Sequence, residues 1–237
     1  MSPFDRLRRL MPGGGEPDLD AELRWWLDEW EPIVRDGGFN PGDVPAFLPE
    51  GEPVADTFEG RRWQIARAEV ARVLTEAGIE DEDFFEGKVV VDIGSGPLGF
   101  PDACPAKLAI AVEPLADRYR AAGLLLGGEN TVYLATGAEA IPLLSDSTDV
   151  VLTRNSLDHV SNPTAVVNEI LRILRPGGTL ILSVDIGHPA TATEPHSFTR
   201  GEIRMLLNPL DIVSERTLDE AHGGGGGSRI VVVARRR

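Results

Sequence analysis

Residues 88 to 99 read Lys-Val-Val-Val-Asp-Ile-Gly-Ser-Gly-Pro-Leu-Gly, a short β-branched run that stops at Asp92 and opens into a glycine-rich turn. Val89, Val90, Val91 and Ile93 are too few to make a helix of their own, and they suit a strand buried on both faces of a parallel sheet. Gly94 and Gly96 let the backbone approach a ligand where a Cβ would collide. A strand of this kind has to be covered by helices on both sides, so an α/β fold is implied from these twelve positions onward.

The rest of the chain supplies those layers. A helix is expected from Phe58 to about Ala77, with Trp63, Ala66, Val70, Val73 and Leu74 on one side and Gly78 as its stop. After the glycine turn, strands are expected at Leu108 to Glu113, Thr131 to Leu134, Asp149 to Thr153 and Thr179 to Val184. Helices are expected at residues 115 to 126, ended by Gly127-Gly128, and from Thr164 to Leu174. A helix at Glu202 to Leu207 then precedes two strands, Asp211 to Leu218 and Ile230 to Ala234, with only the run Gly223 to Ser228 between them. Strands joined without a crossover helix pair antiparallel. The fold class is therefore α/β, Rossmann-like: a doubly wound, mostly parallel sheet of seven strands with an antiparallel last strand.

Residues 1–57 make an amino-terminal extension to a main domain at 58–237. It starts with a basic turn (Arg6, Arg8, Arg9) broken by Pro12-Gly13-Gly14-Gly15. Leu23, Trp26, Leu27, Trp30 and Val34 recur at helical spacing, so this face docks on the main domain or on a second subunit. Prolines and glycines between residues 36 and 56 make a linker or folded-over loop.

Charge excludes a class of partners. A net charge of −15 opposes a broad phosphate-binding surface, so no nucleic acid is expected and a small-molecule substrate is favoured. A single cysteine, Cys104, precludes an internal disulfide framework and a thiolate zinc site. No run approaches the roughly 18 apolar residues of a membrane span, and no signal-peptide core is visible, which makes a cytoplasmic protein the expectation.

Gly94-x-Gly96-x-x-Gly99 matches the dinucleotide fingerprint, and Glu113 lies 19 residues past Gly94, where an acid would bind a ribose hydroxyl. Two features point away from a pyrophosphate. Pro97, Pro101 and Pro105 interrupt the segment where a phosphate-binding helix should start. Asp92, just before the turn, would repel a pyrophosphate and attract a cationic amino group.

Taken in order, these motifs resemble a class I S-adenosylmethionine-dependent methyltransferase over residues 58 to 237. Asp92-Ile93-Gly94-Ser95-Gly96 resembles the family's acid-x-Gly-x-Gly signature, and Leu174-Arg175-Pro176-Gly177-Gly178 its corner before the fifth strand. The resemblance implies that S-adenosylmethionine is the cofactor. It implies Glu113 on the ribose hydroxyls, Pro114 near the adenine, and the loop from Gly137 to Pro142 along the adenine edge. Relatives commonly carry an aspartate where Gly137 stands, so Glu139 or a backbone carbonyl would take its part, with the Ala138 amide on a ring nitrogen. Arg154 to Val160 would lie beside the methionine part and the methyl group, which places Asn155 among the cofactor residues with Asp92, Gly94, Ser95 and Gly96.

Methyl transfer needs an aligned acceptor, and a base only where the acceptor carries a proton. His159, after the fourth strand, is the first candidate base and His196 the second; His188, beside Pro189 in an expected turn, ranks behind them. Trp63 and Asp158 are candidate substrate contacts. Asp158 with Asp185 is too thin a carboxylate set for a metal, so none is expected. The expected reaction is methyl transfer to oxygen or nitrogen of a small molecule, a sugar or secondary metabolite. An NAD-dependent oxidoreductase and a non-catalytic scaffold stay open beside it, and the amino-terminal segment, with Trp25, Trp26, Trp30 and Trp63, would lid the pocket or build a homodimer contact.

Overall fold

A computed structural model of the chain describes residues 16–36, 52–218 and 228–237. The basic turn near the start, most of the proline-glycine stretch and the run at 223–227 lie outside the described residues.

The valine run forms β1 (Val89–Ile93), followed by β2 (Leu108–Val112), β3 (Thr131–Leu134), β4 (Thr148–Arg154), β5 (Leu174–Ile186), β6 (Leu210–Leu218) and β7 (Ser228–Arg236). The seven strands join in the order β3-β2-β1-β4-β5-β7-β6. Strands β1 to β5 are parallel, while β7 runs antiparallel between β5 and β6. The last strand thus inserts in the sheet and closes it against β5, burying Ile230, Val231, Val232 and Ala234.

Helix α1 (Leu19–Trp25) leads through a π-helical turn (Trp26–Trp30) into α2 (Glu31–Arg35), and α3 spans Phe58–Ala77. Thr57 caps α3 at its start and Gly78, with φ +69°, ends it. Next come α4 (Phe100–Ala103), α5 (Ala116–Ala121), α6 (Pro163–Ile173) and α7 (Arg200–Leu206). The prolines reduce the first crossover helix, α4, to four residues. Helix α5 is shorter than its sequence pattern suggests. Gly123, with φ +72°, terminates it: the amides of Gly123 and Leu124 bond back to Arg120 and Tyr119. Strand β5 begins earlier than expected, because Leu174 already pairs with Thr148 before the Pro176-Gly177-Gly178 corner.

One core lies between β1–β5–β7 and α6–α7, and another between the opposite sheet face and α3 with α4. A third joins the amino-terminal segment to the domain, packing Trp30 and Val34 on Ile65, Leu115, Tyr119 and Leu124. This is the apolar face read from the helical spacing. Its docking is fixed by a buried arginine on α3. Arg61 donates to the carbonyls of Val34 (2.7 Å), Arg35 (2.6 Å), Ala55 and Asp56 (2.9 Å each), so one guanidinium serves the open end of α2 and the chain entering α3.

Helix α3 departs from its apolar pattern. Trp63 is only half-buried, and Glu69 and Arg72 are buried instead. Glu69 accepts from Arg72 (2.8 Å) and from Arg154 at the end of β4 (2.6 Å), tying helix to strand.

At the turn, Gly94 has φ +66°, and a Cβ built on it would stand 2.3 Å from the Ser156 Cβ. Ser156 Oγ donates to the Ile93 carbonyl at 2.8 Å and lies 2.8 Å from Thr153 Oγ1. Gly94→Ala should therefore destabilise the protein by about 3 kcal/mol, from overpacking and left-handed backbone strain together. Ser156→Gly in the same chain should restore part of that loss; urea unfolding of the two single variants and the double variant measures it, and equal losses in Gly94→Ala and the double variant would rule out the clash.

Candidate active site

The parallel sheet reverses its strand order between β1 and β4, where ligand crevices form at strand carboxyl ends. A cavity of about 180 Å³ opens there. Ile93 and Gly94 from β1, Val112 and Glu113 from β2, and Asn155 and Ser156 from β4 form its base. Pro114, Gly137, Ala138, Glu139, His159, Val160 and Ser161 complete its wall. Glu16, Pro17, Leu19 and Glu22 bring the amino-terminal segment over it.

Four glutamates line this cavity and, among the described residues, no lysine or arginine does. Glu113 is buried, with one oxygen accepting from the Gly96 amide (3.0 Å) and the other from the Leu115 amide (2.9 Å). Each oxygen keeps a second lone pair for a ligand hydroxyl. Burial pushes the Glu113 carboxyl up to about 7, and nearby Glu22 adds to the rise while the two amides oppose it. Asn155 holds φ +47°, uncommon for a residue with a Cβ. Its buried Oδ1 has no hydrogen-bond partner, which leaves an acceptor in the cavity wall.

The sequence-derived site residues separate into two groups. Gly94, Glu113, Pro114, Ala138, Glu139, Asn155 and His159 come together around the cavity; Asp92, Ser95, Gly96, Trp63, Asp158 and His196 are not part of its lining. The glycines are needed mainly for contacts within the protein. Gly94 receives Ser156, and the Trp26 ring lies 3.3 Å from where a Gly96 Cβ would be. Arg62 of α3 donates to the Pro97 carbonyl (3.2 Å) and anchors the far end of the turn. Glu139 spends one oxygen on the amides of Ser161 (2.9 Å) and Asn162 (3.2 Å), joining the loops after β3 and β4.

Asp92 faces α3. Strand alternation puts it on the side of Val90, which packs with Val73 and Phe100, and opposite Ile93. Burial raises its carboxyl to about 7, against the pull of Arg154. His196 is buried, with Nε2 2.8 Å from the Val160 carbonyl and its ring stacked on Phe198. Burial lowers its pKa below the ordinary histidine value, and the ring links the loops after β4 and β5.

Asp158 stands behind His159, its side chain fully buried, and neither carboxylate oxygen has a hydrogen-bond partner. Burial raises its pKa to about 8, with the like charges of Glu194 and Asp185 adding to the effect. His159 Nε2 lies 4.0 Å from Asp158 and 3.7 Å from Glu194. Glu22 was not visible as a site residue in the sequence: it sits next to the apolar stripe of α1, and only the docking of that helix brings it near Glu113.

The seven-strand order with β7 inserted antiparallel, and the cavity beside Glu113, coincide with a match to a family model described as a methyltransferase domain over residues 91–182. Residues 91–182 are thus similar to a methyltransferase domain. An uncharacterised methyltransferase of Mycobacterium bovis is 35% identical over 104 residues, 42% of this chain and 40% of that protein. A methyltransferase of Mycobacterium ulcerans is 35% identical over 102 residues, with the same two shares. The chain therefore spans about two fifths of the length of the curated relatives it matches.

Solved structures share the methyltransferase fold. The [4+2]-cyclase SpnF superposes with a TM-score of 0.60 at 14% identity, over 95% of this chain and 98% of that one. A geranyl diphosphate methyltransferase gives 0.57 at 18% identity, over 83% and 96%. The 1,6-didemethyltoxoflavin N1-methyltransferase of Burkholderia thailandensis gives 0.52 at 18%, over 79% and 93%.

The position of Asp92 in this domain has a measurable consequence. Burial pushes the Asp92 carboxyl up to about 7, above the ordinary aspartate value of 3.8, so the folded state holds a proton that the unfolded state releases. Stability contributed by that proton is lost as pH rises between those values. Asp92→Asn should narrow the difference in unfolding free energy between pH 5 and pH 8 by on the order of 1–2 kcal/mol. An unchanged difference in urea titrations would place the Asp92 pKa near its ordinary value.

Proposed function

We propose that the protein transfers a methyl group from S-adenosylmethionine to oxygen or nitrogen of a small molecule. The observation that carries this reading is the cavity at the β1/β4 switch, lined by four glutamates, with Glu113 at its base and, among the described residues, no lysine or arginine in its lining. A pyrophosphate would meet only negative charge there, and the four-residue α4 offers little helix dipole to offset it. A ligand with a ribose and a cationic amino group fits better. Glu113 suits the ribose hydroxyls through its spare lone pairs, and the unpartnered Oδ1 of Asn155 is an acceptor for an ammonium N–H. These features favour a sulfonium cofactor over NAD.

When bound, S-adenosylmethionine supplies an electrophilic methyl group for in-line displacement. The chain's own part is alignment and exclusion of water. The segment with Glu16, Leu19 and Glu22 covers the cavity, and Trp26 rests against the glycine turn, so residues 16–36 serve as its lid. His159 stands on the acceptor side and takes the proton when the acceptor is a hydroxyl or protonated amine. Glu194, 3.7 Å from its Nε2, favours the imidazolium so formed.

The [4+2]-cyclase sharing this fold favours a second reading, in which the domain acts without methyl transfer. Incubation with methyl-labelled S-adenosylmethionine and a metabolite extract distinguishes them: label appearing in a small molecule is the expected result, and binding without turnover would support the second reading. In calorimetry with S-adenosylhomocysteine, Glu113→Ala should weaken affinity about 10- to 100-fold, the equivalent of losing charge-assisted hydrogen bonds. Full affinity in that variant would overturn the ribose assignment. His159→Ala should reduce turnover about 100-fold or more while leaving cofactor affinity near that of the wild type; undiminished turnover would remove His159 from the reaction.

A further inference from the structure

Beyond the cofactor cavity, the loop after β5 folds back on the loop after β4 and brings His188 and Glu194 to Asp158. One ligand atom from each of the three residues lies within 4.8 Å of the other two. We propose that Asp158, His188 and Glu194 form a binding site for a divalent first-row transition-metal ion, beside the acceptor end of the cavity.

Unsatisfied buried atoms point to this. Both oxygens of Asp158 and Nε2 of His188 are buried without a hydrogen-bond partner, and they face one another, with His188 Nε2 3.8 Å from Asp158 Oδ2. Leaving such groups unpaired is costly, and an ion between them would satisfy all of them at once. The orientation of His188 is also that of a ligand. Its Nδ1 lies 3.1 Å from the Pro189 carbonyl. A proton on Nδ1 donates to that oxygen and leaves the Nε2 lone pair bare toward Asp158. Fixing the ring by donation from its other nitrogen is the usual support of a metal-binding histidine. Glu194 Oε2 is 3.6 Å from His188 Nδ1 and Oε1 3.7 Å from His159 Nε2, so the second carboxylate borders the same cluster.

The donors select the ion. One imidazole and two carboxylates, without a thiolate, suit Zn²⁺, Mn²⁺, Fe²⁺ or Co²⁺ better than the all-oxygen shells of Ca²⁺ and Mg²⁺. Bonds of about 2.1 Å in a tetrahedral shell put ligand atoms about 3.4 Å apart, close to the 3.8 Å between His188 and Asp158. In the sequence, Asp158 and Asp185 alone are too thin a carboxylate set to suggest a metal. His188 and Glu194 lie 30 and 36 residues beyond Asp158, and the fold supplies them. Three protein ligands leave a coordination position for an oxygen of a bound molecule. If the proposed methyl transfer holds, that molecule is an acceptor ligating through a hydroxyl or carboxylate; the ion site itself does not depend on it.

The test uses the full chain without an affinity tag, stripped with chelator and then titrated with Co²⁺ by visible absorption and with Zn²⁺ by calorimetry. One ion per chain is expected. His188→Ala and Glu194→Gln should each weaken binding about tenfold or more while circular dichroism is unchanged. His222→Ala, at the remaining histidine outside the described residues, should bind as the wild type does. No binding up to millimolar ion, wild-type binding by His188→Ala, or loss of binding in His222→Ala would each overturn the site. S-adenosylhomocysteine affinity measured on the same samples reports separately on the cofactor reading: metal binding without it would sink that reading alone, and the reverse would sink only the metal site.

Discussion

The contact on which the site depends is that of Ser156 with Gly94. The Ser156 side chain occupies the space where a Gly94 Cβ would be, and its hydroxyl donates to the Ile93 carbonyl. This pins the exit of β4 to the exit of β1 at the point where the sheet changes direction. The chain then turns through Asn155 in a left-handed conformation, a strain of about 1 kcal/mol that the surrounding packing has to hold. From that turn, His159 and Val160 reach the cavity while Asp158 faces inward behind them. A residue larger than glycine at 94 would displace the loop that carries the acceptor side of the site.

Charge is arranged in three places, and each is handled differently. Behind the sheet, Glu69 is held below the usual carboxylate range by Arg154 and Arg72 despite its burial, and Asp92 lies next to this network. In the cavity, Glu113 and Glu22 raise the cost of leaving the space without a cation or hydroxyl donors. Beyond it, Asp158 has histidines and Glu194 around it and, among the described residues, no arginine or lysine paired with it. The paired carboxylates tie elements together. Removing one member of the Glu69 network would leave a buried charge uncompensated, so this part behaves as structure.

The amino-terminal segment connects the two. Arg61 fastens α2 to α3, Trp30 and Val34 fill a small core with Tyr119, and the preceding turn of α1 then lies over the glycine turn. Arg62, one residue further along α3, holds the Pro97 carbonyl. One helix thus positions both the cover and the floor of the cavity, which makes the cover part of the domain's packing.

The sequence alone determined the strands and their order of appearance. Apolar runs too short for helices, the prolines after the glycine turn and the acid at the end of β2 are local features, and local sterics and strand alternation suffice to interpret them. The same alternation, followed from Val90 to Asp92, already turned Asp92 toward α3, a signal the motif's resemblance obscured. What only the tertiary structure decided depends on long separations in the chain: the insertion of β7 between β5 and β6, the pairing of Glu69 with Arg154, the approach of Glu22 to Glu113, and the gathering of Asp158, His188 and Glu194. None of these has a period or a spacing to show it, because each is set by which surfaces bury together once the sheet has formed.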